Sequence, residues 1–313
     1  MRATARLLVA TNELCGGHRP PPGHPDRPER LRAAVAGAAA AGAEALAAPL
    51  DEAAALAAIA RVHAPALADR LRRACEHPPG PFDSDDNPVS RGTYSAALAA
   101  AAAAVVAAGA VATGGTAWVP VRPPGHHALR DRAMGFCFFN NAAVAAEELL
   151  ARGCGPVAIV DFDVHHGNGT QAHFWERDDA FFLSIHRYPF FPGSGAGDEV
   201  GAGRGRGFTR NVPLAAGADD AVYREALEMG LEELGRVLRP AAWVVSAGFD
   251  AHREDPLGGM NVSDEGFGTL GRLLRAAAGK SPLVAVLEGG YSLEALYRSV
   301  RAFTLGVAGG AGP

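Results

Sequence analysis

The sequence predicts an α/β fold: a single domain over residues 1–313, with a mostly parallel β-sheet flanked by helices on both faces. Three observations carry this. Short runs of unbroken apolar residues recur along the chain, as at 157–160 and 283–287. They lack the alternation of a half-exposed strand, so both of their faces are buried. Segments of helical length and composition separate them, the spacing of parallel strands joined by crossovers. The polar clusters come directly after the apolar runs, and in an open α/β sheet ligands bind beyond the carboxyl ends of the strands.

Taken in order, residues 6–10 form a first strand and 15–28 a loop rich in Pro, Gly and His. Residues 29–47 and 50–59 read as helices from their Ala and Leu content. Residues 78–88 read as a second polar loop, solvated in the preferred reading, whose Asp83, Asp85 and Asp86 could instead supply carboxylates at the rim of a substrate site. The nearly all-alanine stretch 96–112 is short for a bilayer span and weakly hydrophobic, so it reads as a helix buried against the sheet. Strands follow at 117–121, 157–160, 180–186, 211–214, 241–247 and 283–287, with helices at 141–150 and 218–238. Four loops far apart in sequence, at 122–127, 161–169, 248–250 and 288–291, are thereby expected to converge on one crevice.

The 313 residues are 48% hydrophobic, enough for a sizeable core, and carry a net charge of -5. Lys and Arg are dispersed, which argues against nucleic acid as a substrate and against an anionic membrane as a partner. Cys15, Cys75, Cys137 and Cys154 form no C-x-x-C pair, and the opening apolar run is too short for a signal peptide, which points to a reduced, cytoplasmic setting. Oligomeric state is not legible.

The chemistry concentrates at Asp161-Phe162-Asp163-Val164-His165-His166-Gly167-Asn168-Gly169. In an extended backbone Asp161, Asp163 and His165 project to one side. Two carboxylates and an imidazole there suit Zn²⁺ or a related divalent ion. Asp250, at the end of an apolar run, is the choice for a third ligand, against the plainer reading of a helix N-cap. Asp161 lies one pleat behind and is placed to orient a neighbouring histidine. His126 and His127 sit on a Pro-Pro-Gly turn, where an imidazole near a metal-activated water serves as general base and then acid. Tyr291, after two glycines, offers a hydroxyl to a developing oxyanion. His166 is left without a role and reads as facing the other way.

The segments 122–128, 135–141, 161–171, 246–252 and 288–291, with Arg27-Pro28-Glu29-Arg30 near the start, resemble the zinc-dependent histone deacetylase family in order and spacing. That family includes bacterial deacetylase-like amidohydrolases and acetylpolyamine amidohydrolases and shares its fold with arginases. The resemblance implies one Zn²⁺ held by Asp163, His165 and Asp250, His127 as general base and acid, His126 as its electrostatic partner, and Tyr291 polarising the scissile carbonyl. It also implies a structural K⁺ touched by Asp161 and Ser184, with Asp161 pairing to His126. Phe136 and Phe191 match the aromatic walls of an acyl-lysine tunnel, with Gly135 and Gly290 beside them. Asn168 stands where class I members have a second Asp, which resembles the class II and bacterial branch; a neutral partner raises the pKa of His127 less than a carboxylate would.

Polyamine-selective relatives carry a glutamate seven residues after the last zinc aspartate, where this chain has Leu257. The apolar gate favours an acyl-lysine peptide or protein over an acetylpolyamine, with a small acylated amine still open. Two other readings compete: an arginase-like hydrolase with two manganese ions that recruits Asp161 and His186, and a silent acyl-lysine binding module. The second needs a missing ligand, base or tyrosine, and the sequence has them all.

Overall fold

A computed structural model describes residues 7–309. Among the described residues ten strands form: β1 Leu7–Thr11, β2 Glu44–Ala47, β3 Gly80–Phe82, β4 Ser84–Val89, β5 Thr116–Val119, β6 Val157–Asp161, β7 Ala180–Arg187, β8 Thr209–Leu214, β9 Ala242–Ala247 and β10 Leu283–Leu287. Eight of them make one sheet in the order β2-β1-β5-β10-β9-β6-β7-β8, every neighbouring pair parallel. After β5 the chain leaves a gap two strands wide, lays down β6 to β8 beyond it, and returns to fill the gap with β10 and β9. The four loops expected to converge therefore leave four adjacent strands.

The apolar runs divide between two cores by the period of a strand. Val157, Ile159, Val244, Val284 and Val286 face one side; Ala158, Val160, Trp243, Val245, Leu283 and Leu287 face the other. The first side is covered by α2 (Glu52–Val62), α4 (Thr93–Val111) and α5 (Asn141–Ala151). The second is covered by α7 (Asp220–Val237), α8 (Asp264–Ala278) and α9 (Leu293–Val307), with α1 (Glu29–Ala40) against α9. Helices α3 (Pro65–Ala74) and α6 (Asn168–Phe174) complete the set. By length and composition α4 is apolar enough to cross a membrane, yet 67% of that window is buried here. Its alanines bring the backbone close to α5 and to the sheet, so it is a core helix, as expected.

Three expectations need correction. The helix read over 29–47 stops at Ala40; Gly42 turns the chain with φ +81° and Glu44–Ala47 pairs with β1. Strand pairing overrides the helix propensity of its alanines. The polar stretch 78–88 is an antiparallel hairpin of β3 and β4, tied by Arg70 to Asp83, not a bare solvated loop. Residues 162–167 are bent rather than extended, and α6 begins at Asn168. Helices α3, α6, α8 and α9 were not anticipated.

The loop before α1 is anchored by a buried ion cluster. Arg122 spans the Asp26 carboxylate at 2.9 Å with both Nε and a terminal nitrogen, and Arg30 reaches it at 2.5 Å. Burial pushes the Asp26 carboxyl up, but the Arg122 and Arg30 guanidiniums outweigh it and hold it well below the usual range. Asp26→Ala leaves two buried guanidiniums without a counter-charge and is expected to cost about 3–5 kcal/mol of stability in urea unfolding. A loss below about 1 kcal/mol would contradict that role for the cluster.

Candidate active site

The turn after β6 is shaped by its own carboxylates. Asp161 Oδ1 accepts from the Asp163 N–H at 3.1 Å, and Asp163 Oδ1 accepts from the His165 N–H at 2.9 Å. Each bond closes a side-chain turn two residues long. Asp163 and His165 thus meet through successive turns rather than through strand alternation. From the neighbouring β9 comes Asp250, whose Oδ1 accepts from the Val164 N–H at 3.0 Å. His165 Nδ1 lies 3.1 Å from both Asp163 Oδ1 and Asp250 Oδ2. One donor atom from each of these three residues falls within 4.8 Å of the others. From β10, Gly289 donates its N–H to Asp163 Oδ2 at 2.7 Å, and a side chain at this glycine would run into both carboxylates.

Both aspartates are essentially buried. Burial and the Asp163 charge push the Asp250 carboxyl up to about 7. Burial likewise works to raise Asp163, but His126 and His165 hold it below the usual range. Burial works against the His165 imidazolium, yet the two carboxylates raise it to about 9. Without a metal the cluster is balanced by protons. Two carboxylate oxygens and one imidazole nitrogen gathered in a buried volume are the donor set of a divalent cation such as zinc, and a dication can take the place of those protons.

The His126 and His127 rings lie 3.9 Å apart between centroids, tilted by 42°. Helix α6 fixes their turn: the Gly169 and Thr170 N–H groups donate to the His126 carbonyl. Glu288 holds it from the other side, its Oε2 accepting from the Gly125 and His126 N–H groups at 2.6 and 3.1 Å. His126 Nδ1 pairs with Asp161 Oδ2 at 2.9 Å; against the effect of burial, Asp161 and then Asp163 raise it to about 10, so it is an imidazolium at neutral pH. His127 Nδ1 instead donates to Asn168 Oδ1 at 2.8 Å, which leaves the Nε2 lone pair free. Burial, then the His126 and His165 charges, drive its pKa well below 6.5. The surroundings thus push the two adjacent histidines in opposite directions, His126 toward the charged form and His127 toward the neutral one.

A cavity of about 140 Å³ opens over His127 and His165. Phe136 and Phe191 wall it, Phe191 lying edge-on to His127 at 5.1 Å. Gly135 and Leu257 line it with Tyr291. Gly135 has φ +59°, and a side chain there would press on the His127 ring. Gly290 is not part of the lining: with φ +117° it turns the chain, and its carbonyl accepts from Arg30 Nε at 2.5 Å. Tyr291 carries the Arg30 guanidinium 4.7 Å from its ring centroid. Burial keeps its hydroxyl pKa well above 10, with Arg30 opposing, so the phenol remains a proton donor.

Several positioning groups were not anticipated. Asp255 accepts from the Tyr291 N–H at 2.6 Å and the Leu257 N–H at 2.9 Å, so one carboxylate sets both residues. Asp86 and Asn87 of the hairpin accept from the Gly135 and Phe136 N–H groups at 2.9 and 2.7 Å, and Asp86 lines the cavity. Phe190 stacks on His165 at 5.1 Å. A carboxylate that acts by accepting from backbone N–H groups leaves no motif in a sequence; for Asp86, which also accepts from the Ser84 hydroxyl, the signal was the acid-rich composition of 83–86. Ser184 and Asp161 are paired in register, but the Ser184 hydroxyl bonds to His186 Nδ1 at 2.9 Å. His186 Nε2 is in turn taken up by the Gly195 carbonyl, away from the cluster. His166 does face away, bonded to Ser194 and Gln171.

Residues 24–307 match the family model described as a histone deacetylase domain. An acetylpolyamine amidohydrolase of Burkholderia pseudomallei is 44% identical over 220 residues, 69% of this chain and 63% of its own length. A histone deacetylase-like amidohydrolase of Pseudomonas aeruginosa is 40% identical over 239 residues, 74% of this chain and 63% of its own. The chain therefore matches less than two thirds of either relative. Among solved structures, the HDA15 HD domain aligns with a TM-score of 0.91 at 34% identity, covering 99% of this chain and 91% of that one. The acetylpolyamine aminohydrolase of Burkholderia pseudomallei aligns at 0.86 and 34%, covering 96% and 98%.

The proton-balanced cluster has a measurable consequence. At pH 6.5 the metal-free chain carries a proton on His165 and a partial one on Asp250. Metal binding must expel them, so affinity is expected to rise with pH through that range. Calorimetric titration in buffers of different ionisation enthalpy is expected to give between one and two protons released per ion. Release of none would contradict the assigned ligand set.

Proposed function

The chain belongs to the histone deacetylase domain family, and on that footing we propose that it is a zinc-dependent amidohydrolase. It removes an acetyl or other short acyl group from the amide of a primary amine, with acyl-lysine the leading substrate class. The observation that carries this reading is one cavity lined by His127, Tyr291 and His165, the last of these grouped with Asp163 and Asp250 as three donors for a metal.

Zinc held by Asp163, His165 and Asp250 supplies, when bound, a Lewis acid that polarises the acyl carbonyl and acidifies water. His127 Nε2, its lone pair turned to the cavity by the Nδ1 bond to Asn168, takes a proton from the attacking water. Asn168 is neutral, so the imidazolium so formed is not trapped by a carboxylate and can return its proton to the leaving amine. His126, already charged through Asp161, opposes charge on its neighbour and keeps His127 a ready acid. The Tyr291 hydroxyl donates to the developing oxyanion, and Arg30 and Asp255 hold that loop still. A K⁺ ion near Asp161 and Ser184 belongs to the same proposal, supported by their pairing across β6 and β7. A reduced, cytoplasmic setting accords with four free thiols.

The narrow cavity between Phe136 and Phe191 favours an unbranched, neutral stem, and Leu257 offers no partner to a second cation. One observation favours the other reading, a small acylated polyamine: Asp86 brings a carboxylate to the cavity lining, and three relatives are named as acetylpolyamine amidohydrolases. A panel of acyl-lysine peptides, acetylpolyamines and small amides separates them. Acyl-lysine peptides are expected to lead; a ranking headed by acetylpolyamines would transfer the function to Asp86. Tyr291→Phe is expected to lower kcat by about 10²–10³ with zinc content unchanged. Full activity in that variant would remove the tyrosine from the mechanism.

A further inference from the structure

Behind the aromatic wall lies a buried polar assembly that the chemistry above does not use. The loop 190–199, which carries Phe190 and Phe191, folds over side chains from three elements: Gln171 of α6, His186 of β7 and Asn211 of β8. His166, from the turn before α6, joins them. His166, His186, Asn211 and Gln171 are all buried.

The donors run in one direction. His186 Nε2 donates to the Gly195 carbonyl at 2.9 Å, which leaves Nδ1 to accept from Ser184. Asn211 Nδ2 donates to Gln171 Oε1 at 2.7 Å, and His166 Nε2 donates to the same oxygen at 3.0 Å. His166 Nδ1 then accepts from the Ser194 hydroxyl at 2.8 Å. Gln171 Nε2 passes the sequence on to Glu199 Oε2 at 2.5 Å. Glu199 Oε1 accepts from the Gly195 and Ala196 N–H groups at 2.9 and 3.0 Å. Three N–H donors converge on this one side chain, and only a group that accepts at both ends satisfies them.

We propose that Glu199 is the positioning residue of the tunnel's aromatic wall, setting Phe190 and Phe191 by locking their loop to Gln171 and, through it, to His166. The geometry it secures is the stacking of Phe190 on His165 and the edge-on placement of Phe191 against His127. Glu199 touches neither substrate nor metal ligands; it acts through the loop. This inference rests on the amidohydrolase reading for its kinetic consequence, while its structural consequence is independent of activity.

The donor pattern supplies its own test. Glu199→Gln sets an amide N–H₂ against the Gln171 N–H₂, and no flip of Gln171 repairs this, because Asn211 and His166 already donate to its oxygen. The double exchange Glu199→Gln with Gln171→Glu restores every pair. Glu at 171 accepts from Asn211, His166 and the new amide, and Gln at 199 still accepts from Gly195 and Ala196. In the zinc-loaded enzyme, Glu199→Gln is expected to raise KM for an acetyl-lysine peptide about tenfold with kcat within about twofold, and the double exchange to return KM to within about twofold of wild type. In parallel, 4-fluorophenylalanine incorporated in place of Phe191 reports the wall by ¹⁹F NMR. The resonance is expected to shift or broaden in Glu199→Gln and to recover in the double exchange.

An unchanged KM and fluorine resonance in the single variant would overturn the proposal, and so would a double exchange as perturbed as the single one. If Glu199→Gln does not fold, the double exchange alone decides: a wild-type resonance supports the proposal and a perturbed one overturns it. A wild-type chain without amidase activity would defeat the proposed function and leave the fluorine comparison intact.

Discussion

The constraint on which the structure depends is the confinement of several carboxylates in one buried volume. Asp161, Asp163, Asp250 and Glu288 are essentially sealed from solvent at the ends of adjacent strands. Each unpaired charge there costs several kcal/mol. Compensation comes from backbone N–H groups at Gly125, His126, Asp163, Val164, His165 and Gly289, from the His126 and His165 imidazoles, and from the cation the donor set calls for. The return of the chain to insert β9 and β10 between β5 and β6 is what brings Asp250 and Glu288 against Asp161 and Asp163. The glycines of these loops follow from the same crowding, since a side chain at Gly289 would occupy the space of two carboxylates.

Within that volume burial works against a charge on either histidine, and their partners and mutual repulsion decide which one carries it. Asp161 fixes a charge on His126, while the Asn168 oxygen orients His127 without adding one. A carboxylate at position 168 would make the two sites alike and remove the contrast between a permanent cation and a neutral base. The wall of the cavity is governed separately, from the hairpin on one side and from the Glu199 assembly on the other.

The sheet was legible in the sequence because strands buried on both faces leave unbroken apolar runs, and 283–287 coincides with β10. The meeting of four loops was legible for the same reason, since topology dictates where strand ends open. Helices α8 and α9 went unread despite ordinary amphipathic patterns, and 44–47 read as helix because alanine carries no record of an edge strand's pairing. At the site, groups with side-chain chemistry of their own stood out: Asp163, His165, Asp250, His126, His127 and Tyr291. Asp255 and Asn87 did not, because they act by accepting from backbone N–H groups that a sequence does not display; Asp86 was open as a rim carboxylate, but not its hold on Gly135. Gly290 was assigned to the tunnel from its place in a motif, whereas its left-handed conformation serves the turn toward Arg30.

The division of the site into one metal cluster, one neutral base and one phenol is tested most directly by zinc-edge X-ray absorption on the purified protein with parallel metal analysis. One zinc per chain is expected, with a single imidazole and otherwise oxygen ligands at about 2.0–2.2 Å. Two transition-metal ions per chain, or a sulfur ligand in the absorption spectrum, would contradict the account.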